Sequence, residues 1–172
     1  MELFPDLSFG WMNGWILIVL FFGVYGMILL TFPRKAAARL FDRTGQDASR
    51  GIRRVSAVVF MLIWLLIVCL TPLKIGSAVF AIGMALYLTG LIGFAAALIT
   101  FRNTPLDQPV TRGLYRISRH PQQVSVSLAF LGMSIAAGSW TATAFMIAAL
   151  YGAHRKILME ERACLERYGE PY

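Results

Sequence analysis

Residues 75–101 run without one charged side chain, and so do residues 11–32, 55–73 and 124–153. About 20 apolar residues in a helix cross a hydrocarbon core of roughly 30 Å. Four such runs leave a chain of 172 residues little length for anything else. Any chemistry must therefore be built from helix ends and short loops. Composition agrees, with 58% hydrophobic and 15% charged residues and a mean hydropathy of +0.65, where soluble domains carry about 25% charged residues. Residues 11–32 lack a basic leader and a small-residue cleavage site, so the sequence reads as a retained span rather than a signal peptide.

The few charges predict the topology. A net charge of +7 would suggest nucleic acid in a soluble protein, but in a membrane protein it marks the side that holds Lys and Arg. Arg34, Lys35, Arg39, Arg43, Arg50, Arg53 and Arg54 lie between the first two runs, while Lys74 alone separates the second from the third. Arg102, Arg112, Arg116 and Arg119 follow the third run, and Arg155, Lys156, Arg162 and Arg167 close the chain. If the 30-residue run 124–153 turns back at Gly138-Ser139-Trp140, fifteen of the sixteen basic residues share one face. One long span would divide them. The expectation is a single all-α integral membrane domain, residues 1–172, with five transmembrane helices at about 11–32, 55–73, 75–101, 122–138 and 140–153. The last two form a short hairpin, each shorter than a full crossing, and an amphipathic helix follows at 154–168. The N-terminus lies outside and the C-terminus in the cytoplasm, as in a bacterial inner (plasma) membrane. Cys69 and Cys164 are too far apart along this topology to pair, and no Cys or His spacing suggests a metal site.

Two cytoplasmic places carry purposeful polar residues. In the stretch 111–123, Pro121 suits the first turn of the fourth helix, with Ser118 or His120 near the cap. Free N–H groups and the positive dipole end then lie beside Arg119, His120, Gln122 and Gln123, a setting for a carboxylate or phosphate. A basic loop that holds anionic lipid headgroups accounts for the charge equally well. In the segment 154–168, Ile157, Leu158, Cys164, Leu165 and Tyr168 form an apolar stripe at helical spacing, and Glu161 falls within it. Glu160 is at the edge, and His154 is two turns before Glu161 on the same stripe. A carboxylate there needs a cation or several donors, and a salt bridge to Arg119 or to a neighbouring Arg is the plainer explanation. The two places sit at the ends of neighbouring helices and can face each other, which suits a zwitterionic ligand.

Gly113-Leu114-Tyr115, Arg119-His120-Pro121, Glu160-Glu161 with Leu165, and Tyr168-Gly169-Glu170-Pro171-Tyr172 together resemble a known family. It is that of the membrane methyltransferases related to isoprenylcysteine carboxyl methyltransferase and phospholipid N-methyltransferase. The resemblance covers residues 104–172. It implies S-adenosylmethionine as cofactor, held between the loop before the fourth helix and the helix after the fifth. Carried over by position, Gln108, Pro109, Val110, Gly113, Tyr115, Arg119, His120, Pro121, Gln122 and Gln123 form the cofactor site, completed by Glu160 or Glu161. The acceptor is a lipid or lipophilic small molecule from the bilayer, either a prenyl-cysteine-like carboxylate or a phospholipid amine, oriented by Arg155 or Lys156. An amine acceptor needs a base, for which His120, His154 and Glu161 are candidates. No metal and no nucleic acid are implied. Gln123 stands where the family has Tyr, and an amide hydrogen bond there replaces an aromatic contact. The family pattern runs on past the position of Tyr172, so a less covered pocket is expected.

Two rival readings make different demands. A sterol-type membrane reductase has a similar Arg-His-Pro hairpin and takes a nicotinamide cofactor, but more spans precede it. A small membrane scaffold or transporter subunit binds no cofactor, and the duplicated halves common in transporters are absent from the sequence.

Overall fold

The computed structural model describes residues 2–3, 5, 7–8, 10–41, 51–105, 110–118 and 120–152. Among them the regular structure is helical: α1 (Trp15–Leu30), α2 (Arg34–Phe41), α3 (Gly51–Leu70), α4 (Ala78–Arg102), α5 (Pro121–Ala136) and α6 (Trp140–Gly152). A 3₁₀ turn at Gly113–Arg116 precedes α5. The all-helical expectation holds. The count of crossings does not follow from helix length, because α4 is the one described helix both long and apolar enough to cross a membrane. With 16 residues each, α1 and α5 fall short of a core of roughly 30 Å. The charge-free part of α3, residues 55–70, has the same length, and α6 is described over Trp140–Gly152. The expected helix 154–168 lies outside the described residues.

Helix ends follow local chemistry. Ser77 caps α4 by accepting the Phe80 N–H at 3.1 Å. The Leu70 end of α3 lies just before Thr71-Pro72, where proline disfavours helical backbone in the preceding residue. At the expected turn back, Gly138 adopts φ +68°, and its N–H reaches the Ile135 carbonyl at 2.8 Å. Ser139 Oγ then accepts the Ala142 N–H and starts α6. The first helix begins four residues later than the apolar run. Ser8 and Gly14 instead pair with the end of α3, through Ser8 N–H to the Leu70 carbonyl (3.0 Å) and Gly14 N–H to the Thr71 carbonyl (3.1 Å).

The backbone pairs α4 with α5 antiparallel at a distance only glycine permits. A Cβ on Gly83 would fall 2.2 Å from Ala136 N, one on Gly90 2.4 Å from Ala129 N, and one on Gly132 2.4 Å from Tyr87 N. Such small-residue contacts let backbones approach where lipid offers no hydrophobic drive to pack. Around this pair α1 contributes Leu17 and Phe21, α3 Trp64 and Val68, and α6 Met146. The Phe21 ring stacks on Phe94 and meets Phe130 edge-on, each at 5.2 Å. Buried polar groups are paired: Tyr87 Oη donates to the Leu17 carbonyl at 2.9 Å, and Trp64 Nε1 donates to Ser134 Oγ at 2.9 Å.

The two ends of the bundle differ in charge. At one end Glu2 bridges the α5–α6 turn, its N–H on the Gly138 carbonyl and its carbonyl accepting from Trp140 N–H, and its carboxylate is ion-paired with Lys74. That pairing holds the Glu2 carboxyl below the usual carboxylate range. Trp11, Leu3, Leu7, Ile75 and Trp140 are exposed there, a mix suited to a membrane interface. Arg34, Lys35, Arg102, Arg112 and Arg116 lie toward the other end, where Arg102 Nη1 donates to Thr31 Oγ1 and joins the ends of α4 and α1. The short helix α2, which charge counting did not anticipate, sits here. Its Ala36 is buried and Leu40 packs on the core, while Arg34 and Lys35 are exposed.

Candidate functional site

The loop before α5 is shaped by Gly113. Its φ of +59° is a left-handed conformation, and a Cβ there would fall 3.1 Å from Thr100 Oγ1 at the end of α4. The 3₁₀ turn thus starts against α4, and Tyr115 projects toward α5. Three residues after Tyr115, Ser118 Oγ accepts the His120 N–H at 3.2 Å. Pro121 occupies the first helical position, and no side chain caps the helix start. In the first turn the N–H groups of Gln122 and Gln123 have no carbonyl one turn below them within the helix. They form a positive dipole end with donors facing outward.

A cavity of about 290 Å³ opens at this helix start, lined by Leu40, Phe101, Tyr115, His120, Pro121, Gln122 and Gln123. Gln122 Nε2 donates to Tyr115 Oη at 2.8 Å across it. A second cavity of about 440 Å³ is lined by Tyr25, Phe94, Leu98 and Val126, together with Leu40, Gln122 and Gln123. The three shared residues make a common wall. One chamber is therefore rimmed by hydroxyl, imidazole and amide groups, and its neighbour is largely aromatic and aliphatic.

Of the residues expected at the cofactor site, Tyr115, His120, Pro121, Gln122 and Gln123 come together in the first cavity. Gly113 supports them from behind, and Val110 is half-buried outside the lining. Gln108, Pro109, Arg119, His154, Arg155, Lys156, Glu160 and Glu161 lie outside the described residues. Sequence reasoning missed Leu40 and Phe101 in the first cavity and Tyr25, Phe94, Leu98 and Val126 in the second. For Leu40 a signal existed: Pro33 followed by Ala36, Ala37 and Leu40 at helical spacing among cations.

The sequence pattern of the phospholipid methyltransferase family matches residues 73–171, from the α3–α4 turn through the 3₁₀ turn and the α5–α6 hairpin. No curated protein and no solved structure matched the chain.

Proposed function

Because this chain belongs to the phospholipid methyltransferase family, we infer that it transfers a methyl group from S-adenosylmethionine to a lipophilic acceptor at the cytoplasmic face of a membrane. One observation carries the reading: five residues of the expected cofactor motif line a single cavity at an uncapped helix start, within the stretch the family pattern covers. The donor set fits the cofactor. Main-chain N–H groups of Gln122 and Gln123 suit its carboxylate, while the Tyr115 hydroxyl and the Gln122 amide suit ribose hydroxyls or adenine nitrogens. Glu160 or Glu161 is proposed to take the ammonium from the segment after α6.

When bound, the cofactor supplies an electrophilic methyl carbon. The protein's share is alignment and exclusion of water. Pro121 and the 3₁₀ turn hold the α5 start in place, and the Gln122–Tyr115 hydrogen bond fixes one wall. Arg155 or Lys156 is proposed to orient the acceptor. A carboxylate acceptor attacks without a base. An amine must first lose its proton, which His120, His154 or Glu161 would take.

Five crossings are proposed, with α1 and α3–α6 at the expected stretches. The Lys74–Glu2 end would lie outside and the basic end in the cytoplasm, in keeping with the separation of described cations between the two ends.

Calorimetric titration of the solubilised protein with S-adenosylhomocysteine tests the reading. Binding is expected, NADPH is expected to give none, and His120→Ala and Glu161→Ala are expected to abolish the first. If both variants bind like the parent, the site is misassigned. If the parent binds NADPH instead, the methyl-transfer reading falls.

A further inference from the structure

We propose that the second cavity holds a single apolar chain of the methyl acceptor, its polar head at Gln122 and Gln123, and that Leu40 of α2 is the positioning residue between chain and methyl donor. This rests on the methyl-transfer reading above. The two cavities meet along Leu40, Gln122 and Gln123. On the far side of that wall Tyr25, Phe94, Leu98 and Val126, drawn from α1, α4 and α5, supply aromatic and aliphatic surface. Water is poorly served against such a lining, whereas the amides at one end satisfy a polar head. A chamber apolar at one end and amide-lined at the other matches an amphiphile laid with its head toward the first cavity. Its nucleophile then arrives where the two spaces join.

Leu40 has a distinct place in this arrangement. Among the described residues it is the one non-glutamine residue common to both linings, and it comes from a short helix whose Ala36 is buried and whose Arg34 and Lys35 are exposed. A side chain that lines both the apolar and the polar space is placed to set how far along the acceptor the donor cavity begins.

The test uses the full chain in lipid nanodiscs and two photoreactive probes, each with a diazirine in mid-chain: a palmitic acid and a single-chain lysophosphatidylethanolamine. After illumination, labelled residues are mapped by mass spectrometry. Label concentrated on Tyr25, Phe94, Leu98 and Val126, and severalfold weaker in Val126→Phe, supports the site, and the better-labelling probe identifies carboxylate or amine as the preferred head. Label spread over outward-facing residues such as Val19, Leu62 and Ile92 in both probes reports bilayer contact alone and overturns it. For Leu40, Leu40→Ala is expected to bring label onto Phe101 in the first cavity, and Leu40→Met to restore the parent pattern. An unchanged pattern in Leu40→Ala removes Leu40 from the role. Mapping in the unsubstituted protein stands even if a variant fails to fold. Titration with S-adenosylhomocysteine on the same nanodiscs separates the two hypotheses, since a parent that binds it but takes label only on its outer surface retains the function and loses the chain site.

Discussion

Gln122 Nε2 donates to Tyr115 Oη at 2.8 Å, a bond that ties the 3₁₀ turn to the first turn of α5 within the lining of the polar cavity. The partners come from different local settings. One lies on a turn that starts from a left-handed glycine, and the other on a helix start without a side-chain cap. Together they hold the geometry that a cofactor would meet.

Loss of either partner should weaken cofactor binding. A hydrogen bond of this kind contributes about 1 kcal/mol, or roughly fivefold in affinity. Tyr115→Phe and Gln122→Ala are each expected to raise the Kd for S-adenosylhomocysteine by about that factor, and the double variant by scarcely more, because the two act as one unit. Fully additive losses in a double-mutant cycle would show that the bond is incidental.

Glycine substitutions should divide by position. Gly90→Ala puts a methyl 2.4 Å from Ala129 N, and Gly132→Ala puts one 2.4 Å from Tyr87 N, both against backbone that cannot step aside. Overpacking of about 1–3 kcal/mol is expected, seen as a lower Tm in detergent. At Gly23 and Gly26, where a methyl would meet nothing within 4 Å, alanine is expected to be neutral or to stabilise by up to about 1 kcal/mol. A Tm for Gly90→Ala equal to that of Gly23→Ala would contradict the α4–α5 contact.

Tyr87→Phe removes a buried hydroxyl from the Leu17 carbonyl, and Trp64→Phe removes the donor to Ser134 Oγ. Interhelical hydrogen bonds within membranes average about 0.6 kcal/mol, with a maximum near 1.7. Each variant should therefore lose a modest fraction of stability in unfolding titrations. Ser134 Oγ still donates to the Phe130 carbonyl at 3.0 Å, so Trp64→Phe leaves no orphaned hydroxyl.

Acid should loosen the Glu2 end. The Glu2 carboxyl is held low by its hydrogen bond and charge contact with Lys74, so its contribution is complete above the ordinary glutamate pKa, about 4.3, and fades as pH falls through its lowered value. At neutral pH the contact is intact. The pair is solvent-exposed and screened by salt, so no shift in Tm is expected. The readout is amide exchange: Glu2→Gln should lower the protection factors of the residue 2 and Trp140 N–H groups at pH 7 to those the parent shows in acid, each taken against the intrinsic exchange rate at its own pH. Equal exchange in parent and variant at pH 7 would dissociate the ion pair from the bridging.

Topology can be read by cysteine labelling in a background carrying Cys69→Ala and Cys164→Ser. Lys74→Cys is expected to react with a membrane-impermeant maleimide in intact cells, and Arg112→Cys only after permeabilisation. Reaction of both from the same side would reverse or abolish the five-span reading.

Much of the local structure is legible in the chain itself. The charge-free runs mark α1, α3, α4 and the α5–α6 hairpin, because burying a charge in hydrocarbon is costly and its absence over 20 residues is informative. Gly138-Ser139 and Pro121 mark ends because their backbone and capping chemistry is local. That Tyr115, His120, Pro121, Gln122 and Gln123 would come together was legible for a related reason: they are contiguous or nearly so, and the loop and helix start that carry them are local too.

The tertiary structure decided everything that depends on which faces meet. Helices α1 and α4 are apolar nearly all round, so hydrophobic periodicity, which in water reveals the buried side, is silent here. Lipid is as apolar as a protein core, and packing is chosen by shape, as where Gly83, Gly90 and Gly132 admit a neighbouring backbone. The small residues of α4 find their partner within the chain, Gly83 and Gly90 lying against α5. Shape likewise brought Leu40, Tyr25, Phe94 and Val126, separated by as much as a hundred residues, around one wall. Residue spacing encodes the lining of the polar cavity, whereas the apolar cavity exists only once the helices have packed.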